Sequence, residues 1–304
     1  MNHIRNIRSE FSEDDCIYAV ANVSVADLRT DAGYASEMAT QLLLGMSMQI
    51  LQNQQNWYRV KTPEGYVAWI HAGTITLMNQ EDFDNWEAAP KIIFTDYYGF
   101  AYEAPDECQQ RSSDLVFGNL LKWEGDFGRF HRVSYPDFRQ AYVLKTQSRM
   151  FSDWKASIQL TEESIVQKAL ALKGIPYSWG GTSVKSLDCS GFTKTVYLMH
   201  GIVTRRDASQ QAKTGIPADL SDLRPGDLMF FGERAEGIRH VAIYLGNKEF
   251  IHAAGCVRIN SLDPGQPHYD ELNAREFLSA TRILGAVGYE GLWEFTGKWF
   301  NGKW

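Results

Sequence analysis

Residues 40–70 and 113–143 can be laid over one another without a gap, and this internal echo constrains the N-terminal half of the chain most tightly. When "TQLLLGMSMQILQNQQNWYRVKTPEGYVAWI" is set against "SDLVFGNLLKWEGDFGRFHRVSYPDFRQAYV", Gly45 meets Gly118, Val60 meets Val133 and Pro63 meets Pro136, each pair 73 residues apart. Leu42, Arg59 and Ala68 also meet identical residues, while Trp57 falls on Phe130, Trp69 on Tyr142 and Glu64 on Asp137. Size and polarity persist along with identity, which marks a duplicated unit of about 65 to 75 residues.

In the first copy, "NWYRVKT", the turn "PEG" and "YVAWIH" alternate aromatic and β-branched residues around Pro63 and Gly65, as a β-hairpin requires. Each copy is therefore expected to close into a small barrel, the first over residues 1–80 with an N-terminal arm and the second over 81–150. The stretch "NWYRVKTPEGYVAWIHAG" resembles the end of a bacterial SH3 (SH3b) domain, where Gly-Tyr-x-x-Trp is typical. The second copy carries Phe138 and Arg139 in place of Gly65 and Tyr66, a departure that suggests a structural role for it.

Past Met150 the pattern changes to that of a third domain, 151–304. "TEESIVQKALALKG" offers Thr161 as a helix N-cap, Glu162 and Glu163 in the first turn, apolar Ile165, Val166, Ala169, Leu170 and Leu172 on one side, and Gly174 as a stop. A loop "IPYSWGGTSVKSLD", a helix ending at Gly201 and strands around "DLMFF", "HVAIYLG" and "EFIHAAG" follow, an order that reads as α+β.

Cys189 in "SLDCSGF" is the one cysteine set at a helix start; Cys16, Cys108 and Cys256 read as free thiols in packing roles, with no Cys-x-x-Cys pair. A thiol with a pKa of about 8.5 is only about 3% ionised at pH 7, so a nucleophilic cysteine needs activation. With Asp188 as N-cap, Cys189 meets the positive end of the helix, but Asp188 opposes its ionisation by like charge. Two histidines answer the need: His240 and His252 are 12 apart across a turn at Gly246 and Asn247, and an odd-length loop or a bulge puts both on one sheet face. His240 would take the thiol proton and His252 would orient it. The same three side chains are also acceptable zinc ligands, and a small-residue helix start that merely packs closely is the plain structural alternative.

The net charge of −7, with no Lys/Arg stripe, argues against nucleic acid as a partner. No apolar run of 18 residues points to a membrane, and Arg5, Arg8, Glu13, Asp14 and Asp15 interrupt any signal-like core, so a cytoplasmic protein is expected if Met1 is the native start.

Taken in order, "PYSWGG", "LDCSGF", "RRDASQQ", "LRPGDLMFF", "RHVAIYLGN" and "FIHAAG" resemble the NlpC/P60 family of cysteine peptidases over roughly residues 158 to 285. The resemblance implies a papain-like α+β fold with Cys189 as nucleophile, His240 as base, His252 as the orienting third member, and no cofactor or metal. Tyr177 matches a family tyrosine beside the nucleophile, whose hydroxyl with the Cys189 backbone N–H could receive the oxyanion. Relatives with SH3b domains ahead of the peptidase are typically γ-D-glutamyl-L-diamino acid endopeptidases, and several cut small murein peptides with a free N-terminal L-Ala. A buried ammonium needs an acidic partner. Asp207, Glu37 and Tyr66 match the positions around such a pocket, and Ser190, Asp188 and Trp179 are further substrate-binding candidates, although for Trp179 packing is the favoured role. Ala208 stands where many relatives have serine. Two rivals remain: a secreted hydrolase of intact wall, and a wall-binding adaptor with an inactive peptidase domain. Trp293, Trp299 and Trp304 could form a packed aromatic strap or an exposed patch. The sequence leaves oligomeric state open.

Overall fold

The computed structural model describes residues 17–233 and 237–296. Seven strands, β1 (Tyr18–Ala21), β2 (Val25–Arg29), β3 (Met38–Leu43), β4 (Ser47–Gln54), β5 (Trp57–Lys61), β6 (Val67–His71) and β7 (Ile75–Met78), form one antiparallel sheet in the order β3-β2-β6-β5-β4-β1-β7. After helix α1 (Gln80–Ala88) the same sheet is built again from β8 (Lys91–Phe94), β9 (Tyr98–Tyr102), β10 (Arg111–Val116), β11 (Leu120–Phe127), β12 (Phe130–Ser134), β13 (Gln140–Leu144) and β14 (Ser148–Met150), in the corresponding order.

Every strand of the second set starts 73 residues after its counterpart, so the duplication holds through the whole sheet. It extends to defects: β4 and β5 shift register between Ile50 and Gln52, and β11 and β12 between Trp123 and Gly125, again 73 apart. A bulge coils a sheet tightly enough to curl toward closure. The domain boundary expected at residue 80 falls inside α1, because the Asn79 side chain caps that helix by accepting from the Asp82 N–H. The second unit therefore begins near Pro90.

In the third domain, α2 (Phe151–Ala156) leads to α3 (Glu162–Ala171), where Thr161 and Ser164 form the capping box. The short pair β15 (Thr182–Ser183) and β16 (Ser186–Leu187) precedes α4 (Cys189–Leu198), followed by β17 (Ile202–Thr204), α5 (Ala208–Gln211) and β18 (Ile216–Ala218). Then β19 (Leu228–Gly232), β20 (Ile238–Gly246), β21 (Glu249–Ala254), β22 (Cys256–Ser261), α6 (Glu271–Arg275), β23 (Phe277–Arg282) and β24 (Leu292–Glu294) complete the chain. The main sheet runs β18-β23-β19-β20-β21-β22. Helix α4 buries Phe192 and Val196 against the core strands, a mixed α+β arrangement. No described helix is long and apolar enough to cross a membrane.

The aromatic end of the chain is partly a strap. Strand β24 pairs with β17, Trp293 lies under the Arg205 guanidinium at 4.8 Å, and Phe295 is buried against Phe151 and Trp154. Trp299 and Trp304 lie outside the described residues, as does Cys16. Cys108 is exposed rather than packed, since its turn projects from the second unit; Cys256 is half-buried.

The first barrel is joined to the third domain by buried polar contacts. Gln41 accepts from the Thr182 N–H at 2.9 Å, and its backbone carbonyl accepts from the Thr182 hydroxyl at 3.1 Å. Gly180, with φ +79°, lies so close to Met38 that a Cβ there would overlap the Met38 carbonyl. Beside them Glu64, from the Pro-Glu-Gly turn, forms a buried ion pair with Lys194 of α4, and its carbonyl accepts from Arg205 at 3.1 Å.

Candidate active site

Asp188 has the extended backbone of an N-cap and accepts from the Gly191 N–H at 2.7 Å, which puts Cys189 at the first helical position. Cys189 as a whole residue is half-buried. Burial of the sulfur pushes the thiol up to about 11, with Asp188 adding to the rise; backbone N–H groups of Val241 and Ser190, and Arg206, act the other way. The helix start alone does not make a thiolate, as the sequence reading anticipated.

The Val241 contact brings β20 to the nucleophile. A register shift between Tyr244 and Gly246 turns β20 into β21, with Asn247 and Lys248 at positive φ. This bulge is the device that puts both imidazoles on one face. His240 Nε2 lies 2.7 Å from His252 Nδ1, with the rings edge to face. Burial lowers His240 to about 3, with His252 adding to the effect, and burial lowers His252 to about 4. The resting pair is therefore neutral. Among the described residues no group of three or more His, Cys, Asp or Glu side chains is arranged to hold a metal ion.

Beyond His252 the network continues into residues that sequence reasoning passed over. His252 Nε2 lies 3.2 Å from Asn260 Oδ1, and Asn260 Nδ2 donates to Asp270 Oδ2 at 3.1 Å. Asn260 sits two residues past Arg258, which pairs with His252 across β21 and β22. Period-two alternation from "FIHAAG" into "CVRINS" was the available signal.

Tyr177 is half-buried near the nucleophile; burial raises its hydroxyl to about 12, with Cys189 and then Asp188 contributing. A hydroxyl that stays protonated is a donor, as oxyanion stabilisation requires.

Asp207 follows Arg206 at the start of α5 and is half-buried; burial raises its carboxyl pKa. Tyr66 is also raised, by burial and then by Asp207, with Glu37 contributing less, so these three groups share one neighbourhood although they come from two domains. Glu37 itself is exposed, just before β3.

Two substrate-binding expectations change, and with them the packing role of Trp179. Asp188 is 6% exposed and fully engaged: it pairs with Arg206, accepts from the Gly180 N–H at 3.0 Å and caps α4. Ser190 is 4% exposed, and its hydroxyl lies between Arg206 Nη1 at 2.8 Å and Asp188 Oδ1 at 3.3 Å. Both hold the helix start in place because their polar atoms are used inside the protein. Trp179 is 63% exposed, so its loop carries it outward and the packing role favoured for it fails. Ala208 is buried and Ser209 exposed.

Residues 174–275 match the NlpC/P60 family, and residues 28–75 match the bacterial dipeptidyl-peptidase SH3 domain. The chain is similar to a γ-D-glutamyl-L-lysine dipeptidyl-peptidase of Bacillus cereus (strain ATCC 10987 / NRS 248), 29% identical over 82% of this chain and 76% of the relative. It is also similar to dipeptidyl-peptidase 6 of Lysinibacillus sphaericus, 26% identical over 83% of this chain and 94% of the relative. The crystal structure of an NlpC/P60 family protein from Bacillus cereus ATCC 10987 superposes with a TM-score of 0.76 at 25% identity, covering 88% of this chain and 99% of that one.

Proposed function

The chain belongs to the NlpC/P60 family of cysteine peptidases, with SH3-like units ahead of the peptidase domain, and on that footing we propose that it hydrolyses the bond between γ-D-Glu and an L-diamino acid in small murein peptides, taking those with a free N-terminal L-Ala and releasing L-Ala-γ-D-Glu. The observation that carries this reading is the convergence of Asp207 with Tyr66 and Glu37 from the first barrel, in the domain whose cleft also holds Cys189, His240 and His252.

Cys189 Sγ attacks the γ-carbonyl carbon of D-Glu as its proton passes to His240. Tyr177 Oη–H and the Cys189 backbone N–H receive the negative oxygen. The protonated imidazole then gives its proton to the departing diamino acid nitrogen, leaving a thioester that water hydrolyses with His240 as base. Because both groups rest neutral, charge separates only as the bond forms, so stabilisation is concentrated at the transition state. The Asp207 carboxylate faces the substrate ammonium, and Tyr66 and Glu37 close that end of the cleft. Such a pocket suits peptides already cut from the wall, as in murein recycling.

The test is cleavage of L-Ala-γ-D-Glu-L-Lys, its diaminopimelate counterpart, their N-acetylated forms and purified wall. The reading expects the free-amine peptides to be cut and Cys189→Ala to lose activity by several orders of magnitude. Equal cleavage of acetylated peptides would remove the amine pocket, and efficient release of wall fragments would favour the intact wall as substrate.

A further inference from the structure

We propose that Asp270, which lies outside the catalytic trio, is a positioning residue that fixes which nitrogen of His240 acts as the base. The inference rests on the cysteine-peptidase reading and extends it three hydrogen bonds outward.

An ionised carboxylate only accepts hydrogen bonds. The side-chain amide of Asn260 must therefore turn its NH2 group toward Asp270 Oδ2, at 3.1 Å, since the reverse orientation would set two acceptors against each other. Asn260 Oδ1 then faces His252 Nε2 at 3.2 Å, and an amide oxygen accepts, so that nitrogen carries the hydrogen. His252 being neutral, its Nδ1 is a lone pair. It faces His240 Nε2 at 2.7 Å, which must donate. In the neutral His240 ring this leaves Nδ1 unprotonated and free to take the thiol proton. One fixed acceptor thus propagates a single polarity through an amide and two imidazoles.

Asp270 is itself held rigidly. Its Oδ1 accepts from the Asn273 N–H at 3.0 Å as the cap of α6, its Oδ2 accepts from Asn273 Nδ2 at 2.8 Å, and its own N–H donates to the Ser261 carbonyl at 2.9 Å. The other charges acting on the histidine pair are Arg258 and Arg239, both cationic, and neither can replace an acceptor at this position.

Three variants test this. Asp270→Asn keeps an oxygen for the α6 cap but lets the Asn260 amide reverse. Asn260→Asp with Asp270→Asn restores the polarity with the carboxylate moved one link inward. Glu271→Gln removes an exposed neighbouring charge without touching the relay. With L-Ala-γ-D-Glu-L-Lys, kcat is expected to fall at least tenfold in Asp270→Asn with KM within twofold, to recover to within threefold of wild type in the double variant with its acid limb moved to higher pH, and to stay unchanged in Glu271→Gln. In parallel, 15N-histidine NMR should show the Nε2–H tautomer of His240 in wild type and double variant, and Nδ1–H growing in Asp270→Asn. A kcat within twofold of wild type in Asp270→Asn, no recovery in the double variant, or Nδ1–H in the wild type would overturn the proposal. The NMR arm decides even if the wild type cuts none of the peptides, an outcome that would sink the substrate reading alone.

Discussion

Arg206 grips both carboxylate oxygens of Asp188, the residue just before the nucleophile, while its Nε donates to the Thr40 hydroxyl of the first barrel at 2.9 Å. Both partners are buried, so removing the cation leaves a desolvated charge. Arg206→Met is expected to cost about 3–5 kcal/mol in urea unfolding. Arg206→Lys should recover little of this, because one ammonium cannot reach Thr40, Ser190 and both Asp188 oxygens together.

The neutral resting state of Cys189 has a direct chemical readout. With the thiol near 11, alkylation by iodoacetamide should keep accelerating above pH 9 instead of levelling near neutrality. Asp188→Asn removes the like charge and should move that curve to lower pH. A plateau at pH 7 in the wild type would contradict the resting state described for the site.

Glu64 and Lys194 tie the turn that precedes Tyr66 to the helix that begins with Cys189. Lys194→Met should destabilise the chain by about 3–5 kcal/mol, and adding Glu64→Gln should restore most of the loss, since the unpaired charge is what costs. Chemical denaturation of the wild type and the two variants checks this. If the proposed pocket is right, Lys194→Met should also raise KM for free-amine peptide more than for its acetylated form.

Acid should weaken the fold in two windows. His240 and His252 take up a proton only near pH 3 and 4 when folded, whereas unfolded imidazole does so near 6.5. Between those values the unfolded chain holds more protons, so this contribution is intact above about pH 7 and is lost as pH falls through 6.5 toward 4. For Glu64, burial disfavours the charge but Lys194 outweighs it, and the folded pKa is lowered; its contribution is present above about 4.5 and is lost below. Urea midpoints measured across pH should show His252→Gln flattening the upper window and Glu64→Gln the lower.

Phe138 occupies the left-handed region at φ +67°, where its counterpart Gly65 sits at +84°. It is 64% exposed, so little packing offsets the strain. Phe138→Gly should raise stability by up to about 1 kcal/mol, read from the thermal midpoint.

The duplication was legible because a fixed 73-residue offset preserves residue size as well as identity, and the site trio because Cys189, His240 and His252 lie in compact motifs. What escaped depends on pairing between distant segments. Arg206 stood in a quoted motif, but its partner Thr40 is 166 positions away, and nothing local reveals that Asp188 would be neutralised from the segment between β17 and α5. The burial of Ser190 and the exposure of Trp179 escaped for a related reason: a side chain's exposure is set by what docks against it, which local pattern does not carry.

The shared offset gives this molecule an internal control. Positions n and n + 73 occupy matching backbone, down to the same bulge, yet Glu64 reaches the third domain at Lys194, while Asp137 lies 2.6 Å from Arg139 Nε and accepts from Asn22 Nδ2 of the first barrel at 2.8 Å. A substitution placed at both sites meets one local geometry twice, and any difference in outcome measures the surroundings alone.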